Sequence, residues 1–198
     1  MGRTVTDLFH EPEDSTPLTP EEREGLIPTH IALRRELNEL EQQNILEADI
    51  WAFQRHRNVF DERFGRNLHR RMFGKVWKWA GRHRTTDKNI GVSRTLILPR
   101  LYEVLENASY WAEHVTFPAD EIAARFHHEL VLVHPFANGN GRWSRLMADI
   151  LLVQLRRPRF TLGNSTLRSA DEARRAYIAA LKAADDHDLA PLIAFLRS

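Results

Sequence analysis

The sequence predicts a mostly α-helical protein that carries one small β-hairpin. Apolar residues recur every three to four positions over most of the chain, and proline, glycine and capping residues separate these stretches. Residues 82–98 differ, because they are rich in Thr, Ile, Val and Leu around a turn at Asn89-Ile90-Gly91, which favours two short strands. With 198 residues, 42% of them hydrophobic, the chain has the composition of a folded domain.

The composition excludes several classes of protein. The chain has no Cys, which rules out disulfides and thiolate metal sites and fits the cytoplasmic location that we expect. No apolar run approaches the roughly 18–20 residues that a membrane span needs. We therefore expect a chain that is not embedded in a membrane.

The charge of the chain is distributed unevenly. Residues 1–30 hold seven acidic and two basic side chains, whereas residues 55–88 hold eleven basic and three acidic ones. This asymmetry leaves three interpretations open: an acidic arm folded onto a basic body, a solvated face with many ion pairs, or an anionic partner. Nucleic acid is disfavoured as that partner, because no DNA-binding motif or aromatic platform accompanies the basic stretch.

Each helix is predicted from its start signal and its apolar stripe. Residues 1–17 are expected to form an extended acidic leader, and residues 18–198 a single domain. Thr19-Pro20-Glu21-Glu22 predicts a short helix over 19–25. Thr29 is the expected cap of the next helix, and Asp61 opens one that ends at Gly81. Further helices are expected at about 100–115, 119–133, 141–156, 168–184 and 187–197, and the apolar residues on several faces of 141–156 predict that it is central.

One stretch combines a titratable base with features that bind anions: His134-Pro135-Phe136-Ala137-Asn138-Gly139-Asn140-Gly141-Arg142-Trp143-Ser144-Arg145. Pro135 disfavours helical backbone at His134, so we expect the imidazole at the tip of the preceding helix. The glycines on either side of Asn140 can expose backbone N–H groups where the next helix begins, and the dipole of that helix also favours an anion.

Two arginines complete this pattern. Arg142 and Arg145 lie three residues apart in the first turn of the helix, where their planar guanidinium groups can reach a bound phosphate. Each part alone has an ordinary explanation, since His-Pro often ends a helix and Asn-Gly-Asn-Gly is a turn signal. The joint order of base, glycines and arginines within twelve residues nevertheless indicates phosphoryl or nucleotidyl transfer, with His134 as the base.

This stretch resembles the signature of the Fic-domain family, His-x-Phe-x-(Asp/Glu)-Gly-Asn-Gly-Arg-x-x-Arg, and differs from it only at Asn138. Trp77-Lys78-Trp79-Ala80-Gly81 followed by Arg84-Thr85 is similar to the entry to the Fic flap. Leu37-Asn38-Glu39 with Asn44-Ile45 is similar to the N-terminal helix of Fic proteins. The layout from Thr16-Pro17-Leu18 onward is similar to that of the small bacterial Fic proteins called mobile mystery protein B.

The resemblance implies a Fic fold, which is a helical bundle around a central motif helix with one small β-hairpin flap. It also implies transfer of AMP from ATP to a Ser, Thr or Tyr hydroxyl of a target protein. In this reading His134 is the general base, Phe136 anchors the signature loop (residues 134–145), and Arg142 also stabilises charge during transfer. The residues implied to bind the ATP phosphates are Gly139, Asn140, Gly141, Arg142 and Arg145.

The resemblance implies further contacts of the site. The flap at about 82–98, with Arg84, Thr85 and Thr86, would pair with an extended segment of the target. Asn138 stands where the family has a carboxylate that binds Mg²⁺, so a weakened magnesium site is expected. Tyr177 is a candidate contact of the adenine, and a core tyrosine is the alternative.

Regulation and the exact reaction remain open at this point. Glu24 followed by Gly25 fits part of a family pattern for an inhibitory glutamate, which would pair with Arg145. The alternative regulator is a separate antitoxin, with this chain as the toxin of a pair. Two other functions also remain: a Doc-like phosphotransferase or a transferase with another nucleotide donor, and a nucleotide-binding or interaction module whose metal site Asn138 disables.

Overall fold

Helices account for the regular structure of the residues that the computed structural model describes, which are Leu8, 17–161 and 170–198. The mostly helical class predicted from the sequence is confirmed. The predicted leader over 1–17 lies outside the described residues, apart from Leu8 and Pro17. The helices are α1 (Pro20–Arg23), α2 (Arg34–Phe53), α3 (Glu62–Phe73), α4 (Ile97–His114), α5 (Ala119–Val133), α6 (Asn140–Gln154), α7 (Ala170–Asp185) and α8 (Ala190–Arg197).

Helix α6 lies at the centre of the bundle, as its sequence predicts. It packs against α5 and also contacts α2 and α3. Its apolar side chains are divided between two clusters, one shared with α2 to α5 and a smaller one shared with α5, α7 and α8. No helix in the described part of the chain is long and apolar enough to cross a membrane.

The starts of the first three helices follow local side-chain chemistry. Thr19 and Glu22 form the expected capping box of α1, and the Asp61 carboxylate caps α3 by accepting from the amide of Arg63 at 2.9 Å. Thr29, in contrast, does not begin α2. Glu36 accepts from the amide of Leu33 at 3.2 Å, so this helix begins at Arg34 instead.

Helix α3 ends earlier than predicted, at Phe73 rather than Gly81. The next residues leave the helix because their backbone pairs with the chain after α1. The amide of Lys78 donates to the carbonyl of Gly25 at 2.9 Å, and the amide of Ile27 donates to Val76 at 2.8 Å. These bonds compete with the helix for the same backbone groups, and the segment after α3 is thereby held against the N-terminal part of the described chain.

The expected hairpin over 82–98 does not form in this structure. Among the described residues the only β pairing is an isolated bridge between Leu26 and Trp77. The segment is an irregular loop followed by a short 3₁₀ turn over Arg94–Leu96, and α4 already begins at Ile97. We call residues 82–98 the flap segment.

Side chains replace the strand ladder within the flap segment. The Arg84 guanidinium donates to the carbonyl of Thr86 at 2.8 Å and to that of Val92. Asp87 accepts from the amide of Arg94 at 2.7 Å. Because these bonds cross the loop and occupy backbone groups that a strand ladder would use, its β-rich composition does not produce two paired strands.

Candidate active site

The signature loop connects the end of α5 to the start of α6. His134 follows the last residue of α5 in the left-handed conformation, with φ of 49°, and Gly139 precedes α6 with φ of 81°. Because α5 and α6 pack against each other and only a few residues join them, His134 and the N-terminus of α6 lie at the same end of this helix pair. The fold thus brings the predicted base and the predicted anion site close to each other.

Two side chains within the loop determine its conformation. Phe136 is fully buried, and its ring stacks on His69 with a centroid distance of 3.7 Å. Asn140, also buried, accepts from the amide of Phe136 at 2.9 Å and donates to its carbonyl at 2.8 Å. The side-chain amide of Asn140 therefore stabilises the loop. The group of Asn140 that remains for a bound anion is its backbone N–H.

His69 of α3 holds the loop from outside. Its Nδ1 accepts from the amide of Gly81 at 3.0 Å, so its Nε2 is the nitrogen that donates, to the carbonyl of Asn138 at 3.0 Å. Burial lowers the pKa of His69 to about 3, which keeps the ring neutral and this tautomer in place. His69 is not among the site residues predicted from the sequence, although a histidine within the buried stripe of α3 is a signal for a partnered ring.

The anion site consists of the first backbone N–H groups of α6, those of Asn140, Gly141 and Arg142. The first hydrogen bond within this helix runs from the amide of Trp143 to the carbonyl of Gly139 at 3.0 Å, so the three preceding amides are not used by the helix itself. The amide of Gly139 is different, because it donates to the Asn138 side chain at 2.6 Å. A phosphate would therefore meet the helix N-terminus beyond Gly139.

Arg145 lies beside the anion site and is packed on Tyr177. Its guanidinium carbon lies 4.7 Å from the centroid of the Tyr177 ring. A Cβ at Gly141 would lie 3.8 Å from the Tyr177 hydroxyl and 3.9 Å from a terminal nitrogen of Arg145. The hydroxyl is in turn 2.9 Å from Nε2 of the buried His127. These contacts place Tyr177 next to the anion site and Arg145, and none of them bears on the adenine.

Arg142 has partners on three sides. Its Nη1 donates to Glu41 of α2 at 2.6 Å, its Nη2 lies 3.4 Å from Oδ1 of Asn138, and its guanidinium carbon lies 4.7 Å from the centroid of the Phe73 ring. Glu41 is buried, and it also accepts from the indole of Trp77 at 2.6 Å. Glu41 is not among the predicted site residues either, but a glutamate on the same helix face as Leu37 and Ala48 predicts a buried partner.

The residues around Asn138 do not fit the expected magnesium site. Its Oδ1 already accepts from the amide of Gly139 and faces the permanently charged Arg142. An oxygen in this position is suited to hydrogen-bond donors, and the neighbouring cation disfavours a second positive charge. No group of three or more His, Cys, Asp or Glu side chains able to hold a metal occurs in the described part of the chain. We derive no step of the chemistry through Mg²⁺.

His134 is a buried, neutral base. Burial, together with the charges of Arg84 and Lys88, lowers its pKa to about 4, and a hydrogen bond with the Val131 carbonyl opposes this lowering. The ring is therefore unprotonated at neutral pH and able to accept a proton. The flap segment passes directly over this residue: a Cβ at Gly91, whose φ is 95°, would lie 2.5 Å from the Cβ of His134.

Arg84 proves to be an internal contact of the flap segment and not an exposed docking side chain. It is 5% exposed, its Nε donates to the carbonyl of His134 at 2.7 Å, and its amide donates to Pro135 at 2.9 Å. Thr85 is exposed, whereas the Thr86 hydroxyl donates to Glu22 at 3.2 Å. Of the three predicted docking residues, Thr85 is the one whose side chain is open to a target.

Glu22, rather than Glu24, is the N-terminal glutamate that contacts the site region. Its carboxylate pairs with Lys88 of the flap segment, and its carbonyl accepts from the Trp79 indole at 3.0 Å. This ion pair joins the acidic N-terminal region to the basic stretch, as in the interpretation of an acidic arm folded onto a basic body. Glu24 is exposed at the end of α1, and no hydrogen bond or ion pair among the described residues joins it to Arg145.

The chain is similar in sequence to proteins of a known family. The sequence model of the Fic/DOC family matches residues 59–152. Among curated proteins, protein adenylyltransferase fic-1 of Caenorhabditis elegans is 32% identical over 136 residues, which cover 65% of this chain and 25% of that protein. The chain thus spans about a quarter of the length of that relative.

Solved structures show the same fold. Fic-1 (residues 134–508) from C. elegans superposes with a TM-score of 0.66 at 26% identity, covering 88% of this chain and 51% of that one. BepC, a VirB-translocated effector from Bartonella tribocorum solved with bound AMPPNP, gives a TM-score of 0.68 at 17% identity over 90% of this chain and 97% of that one. The narrower likeness to mobile mystery protein B stays a prediction. Residues 59–152, which hold the signature loop near their C-terminal end, are thus similar to a Fic/DOC family domain.

Proposed function

We propose that this chain transfers AMP from ATP to a Ser, Thr or Tyr hydroxyl of a target protein. The observation that carries the proposal is the signature loop, where a neutral, buried His134 stands at the same end of the α5–α6 pair as a helix N-terminus with two arginines. The name of the C. elegans relative, a protein adenylyltransferase, supports the reaction type, and the AMPPNP bound to BepC supports ATP as the donor.

The reaction that this geometry supports is a single displacement at phosphorus. The target hydroxyl gives its proton to His134 as its oxygen bonds to the α-phosphorus of ATP. The bond from that phosphorus to the oxygen bridging to the β-phosphate breaks, and pyrophosphate leaves. The N–H groups of the anion site and the guanidinium groups of Arg142 and Arg145 stabilise the negative charge on the phosphate oxygens.

The flap segment supports a role in positioning the target. Because Gly91 lies directly against His134, a target segment seated along the flap segment would bring its hydroxyl to the base. Thr85 is the exposed contact for such a segment. Main-chain pairing with a target would use backbone groups that the side chains of the flap segment leave available.

The test uses ATP labelled at the α-phosphate, with wild type and His134→Ala, alone and with cell lysate. We expect label on protein with the wild type, and a decrease of at least about 100-fold in His134→Ala because the base is lost. His56→Ala, at an exposed position on another part of the surface, is the matched control and should label normally. Transfer that persists at the wild-type rate in His134→Ala would overturn the assignment of the base.

The position of the label separates the alternatives. Label transferred from the γ-phosphate instead of the α-phosphate indicates a Doc-like phosphotransferase. Tight binding of ATP without any transfer indicates a nucleotide-binding or interaction module, the function that the arrangement around Asn138 would fit. Repeating the assay with other labelled nucleotides tests the choice of donor.

A toxin of a toxin–antitoxin pair is the biological role that we propose, with regulation by a separate antitoxin in a cytoplasmic setting. The exposed position of Glu24 gives no support to inhibition by that residue. We expect expression of the wild type to slow the growth of a bacterial host, and expression of His134→Ala to have no such effect. Equal growth with both chains would argue against this role.

A further inference from the structure

Glu41 is a buried carboxylate whose two oxygens have separate partners. It lies on α2 and is 5% exposed. Oε2 accepts from Nη1 of Arg142 and Oε1 accepts from the indole of Trp77, both at 2.6 Å. These partners lie 101 and 36 residues away along the chain, on α6 and on the segment after α3. The carboxylate is therefore held from two directions and has little freedom to turn.

Arg142 is the member of this group that reaches out of the core. Its side chain is 36% exposed, whereas that of Glu41 is 7% exposed. One terminal nitrogen is bound by Glu41, the other lies 3.4 Å from Asn138, and the Phe73 ring packs on the guanidinium. Because the guanidinium is planar and rigid, binding one edge gives the remaining N–H groups a defined direction.

We propose that Glu41 is a positioning residue that orients Arg142 for the phosphates of the nucleotide, with Trp77 holding its carboxylate. This inference rests on the proposed function, since it supplies the geometry of one phosphate contact. An arginine that is ordered before the nucleotide binds loses less side-chain entropy on binding, so its contacts contribute more to affinity. The buried pair also avoids leaving a lone charge inside the bundle.

Two other roles for Glu41 lead to different results. If its negative charge merely competed with phosphate for Arg142, removal of that charge would tighten ATP binding. If the ion pair only joined α2 to α6, its loss would lower the stability of the fold, and the contribution of Arg142 to ATP affinity would not depend on position 41. A positioning role instead requires that the two residues be coupled in ATP binding.

The experiment is a double-mutant cycle on the full chain with Glu41→Gln, Arg142→Gln and the double variant. The readout is the affinity for a fluorescent ATP analogue, with thermal unfolding measured alongside. We expect Arg142→Gln to weaken binding about tenfold in the wild-type background and less than about threefold in the Glu41→Gln background. Equal effects in both backgrounds, or tighter binding by Glu41→Gln, would overturn the proposal.

Two further variants complete the design. Glu47→Gln makes the same change on the same helix, where the carboxylate is about half exposed and pairs with exposed Lys75, so we expect no effect on ATP affinity. Trp77→Phe keeps a ring but removes the donor, and we expect it to reproduce part of the Glu41→Gln effect. Trp77→Phe also tests the proposal if Glu41→Gln does not fold. In that case, a contribution of Arg142 to ATP affinity that is the same in Trp77→Phe as in the wild type would refute the proposal.

The binding readout separates this inference from the proposed function. A chain that shows the coupling but transfers no label would refute transfer of AMP and leave the orientation of Arg142 supported. A chain that transfers label but shows no coupling between positions 41 and 142 would support transfer of AMP and refute the positioning role of Glu41.

Discussion

Gly139 and Gly141 of the signature loop differ in what surrounds them. Gly139 has φ of 81°, and a Cβ there would lie 2.6 Å from the Phe73 ring. Gly141 is helical, and a Cβ there would meet nothing closer than 3.8 Å. At the scale of single residues, glycine is thus required by the backbone at 139, whereas at 141 it leaves room beside Tyr177 and Arg145 for a ligand.

This difference predicts opposite effects of the same substitution on stability. We expect Gly139→Ala to lower the free energy of unfolding by about 1–3 kcal/mol, because the left-handed backbone and the Phe73 ring both oppose a Cβ. Gly141→Ala should leave it unchanged or raise it by about 0.5–1 kcal/mol, since alanine favours a helix. Chemical denaturation of both variants measures the free energy of unfolding. Equal losses in the two variants would contradict the view that the backbone requires glycine at 139 and not at 141.

The flap segment is the element whose structure differs most from its sequence pattern. One guanidinium, that of Arg84, bonds the carbonyls of His134, Thr86 and Val92. Such bonds use the planar fork of arginine, and they occupy two carbonyls of the loop that a strand ladder would need. At the scale of elements, a single buried side chain thus connects the flap segment to the signature loop.

Removal of that side chain should release the flap segment. We expect Arg84→Ala to speed amide exchange over residues 85–93 and to lower the free energy of unfolding by about 1.5–3 kcal/mol, because one buried and two partly buried carbonyls lose a charged donor. Arg84→Lys should rescue only part of this, since one ammonium cannot bond three separated carbonyls. Exposed Arg82→Ala is the control, and exchange as slow in Arg84→Ala as in that control would contradict the prediction.

Three buried imidazoles affect the molecule as a whole. Burial lowers the pKa of His69 and His127 to about 3 and that of His134 to about 4, below the 6.5 of an unfolded chain. As the pH falls below about 6.5, the unfolded chain therefore binds protons that the folded chain does not bind. The folded state is stabilised above that pH and loses this stability as the pH falls toward 4.

The slope of stability against pH is the measurable consequence. Each imidazole should contribute up to about 1.4 kcal/mol per pH unit between pH 6.5 and 4. We expect His127→Gln to reduce that slope, because one of these groups is removed, and His56→Gln at an exposed position not to change it. Denaturation midpoints taken from pH 7.5 to 4.5 give the slopes. Identical slopes in wild type and His127→Gln would refute the contribution of the buried His127 to the pH dependence of stability.

The sequence alone determined the features of this protein that depend on neighbouring residues. The capping box at Thr19, the Asp61 cap and the apolar faces of α6 are local patterns, so the helical class and the central helix could be predicted from them. The order of base, glycines and arginines is equally local, because these residues are joined by a short loop between two helices.

Only the tertiary structure decided which distant side chains complete the site. Glu41, His69 and Arg84 contact the signature loop from 50 to 101 residues away along the chain. The structure also decided that the flap segment has no strands, since several of its backbone groups bond to side chains and none bonds to a facing strand among the described residues. Such contacts depend on how the helices pack, and the pattern of residues near each of them in the chain does not carry that information.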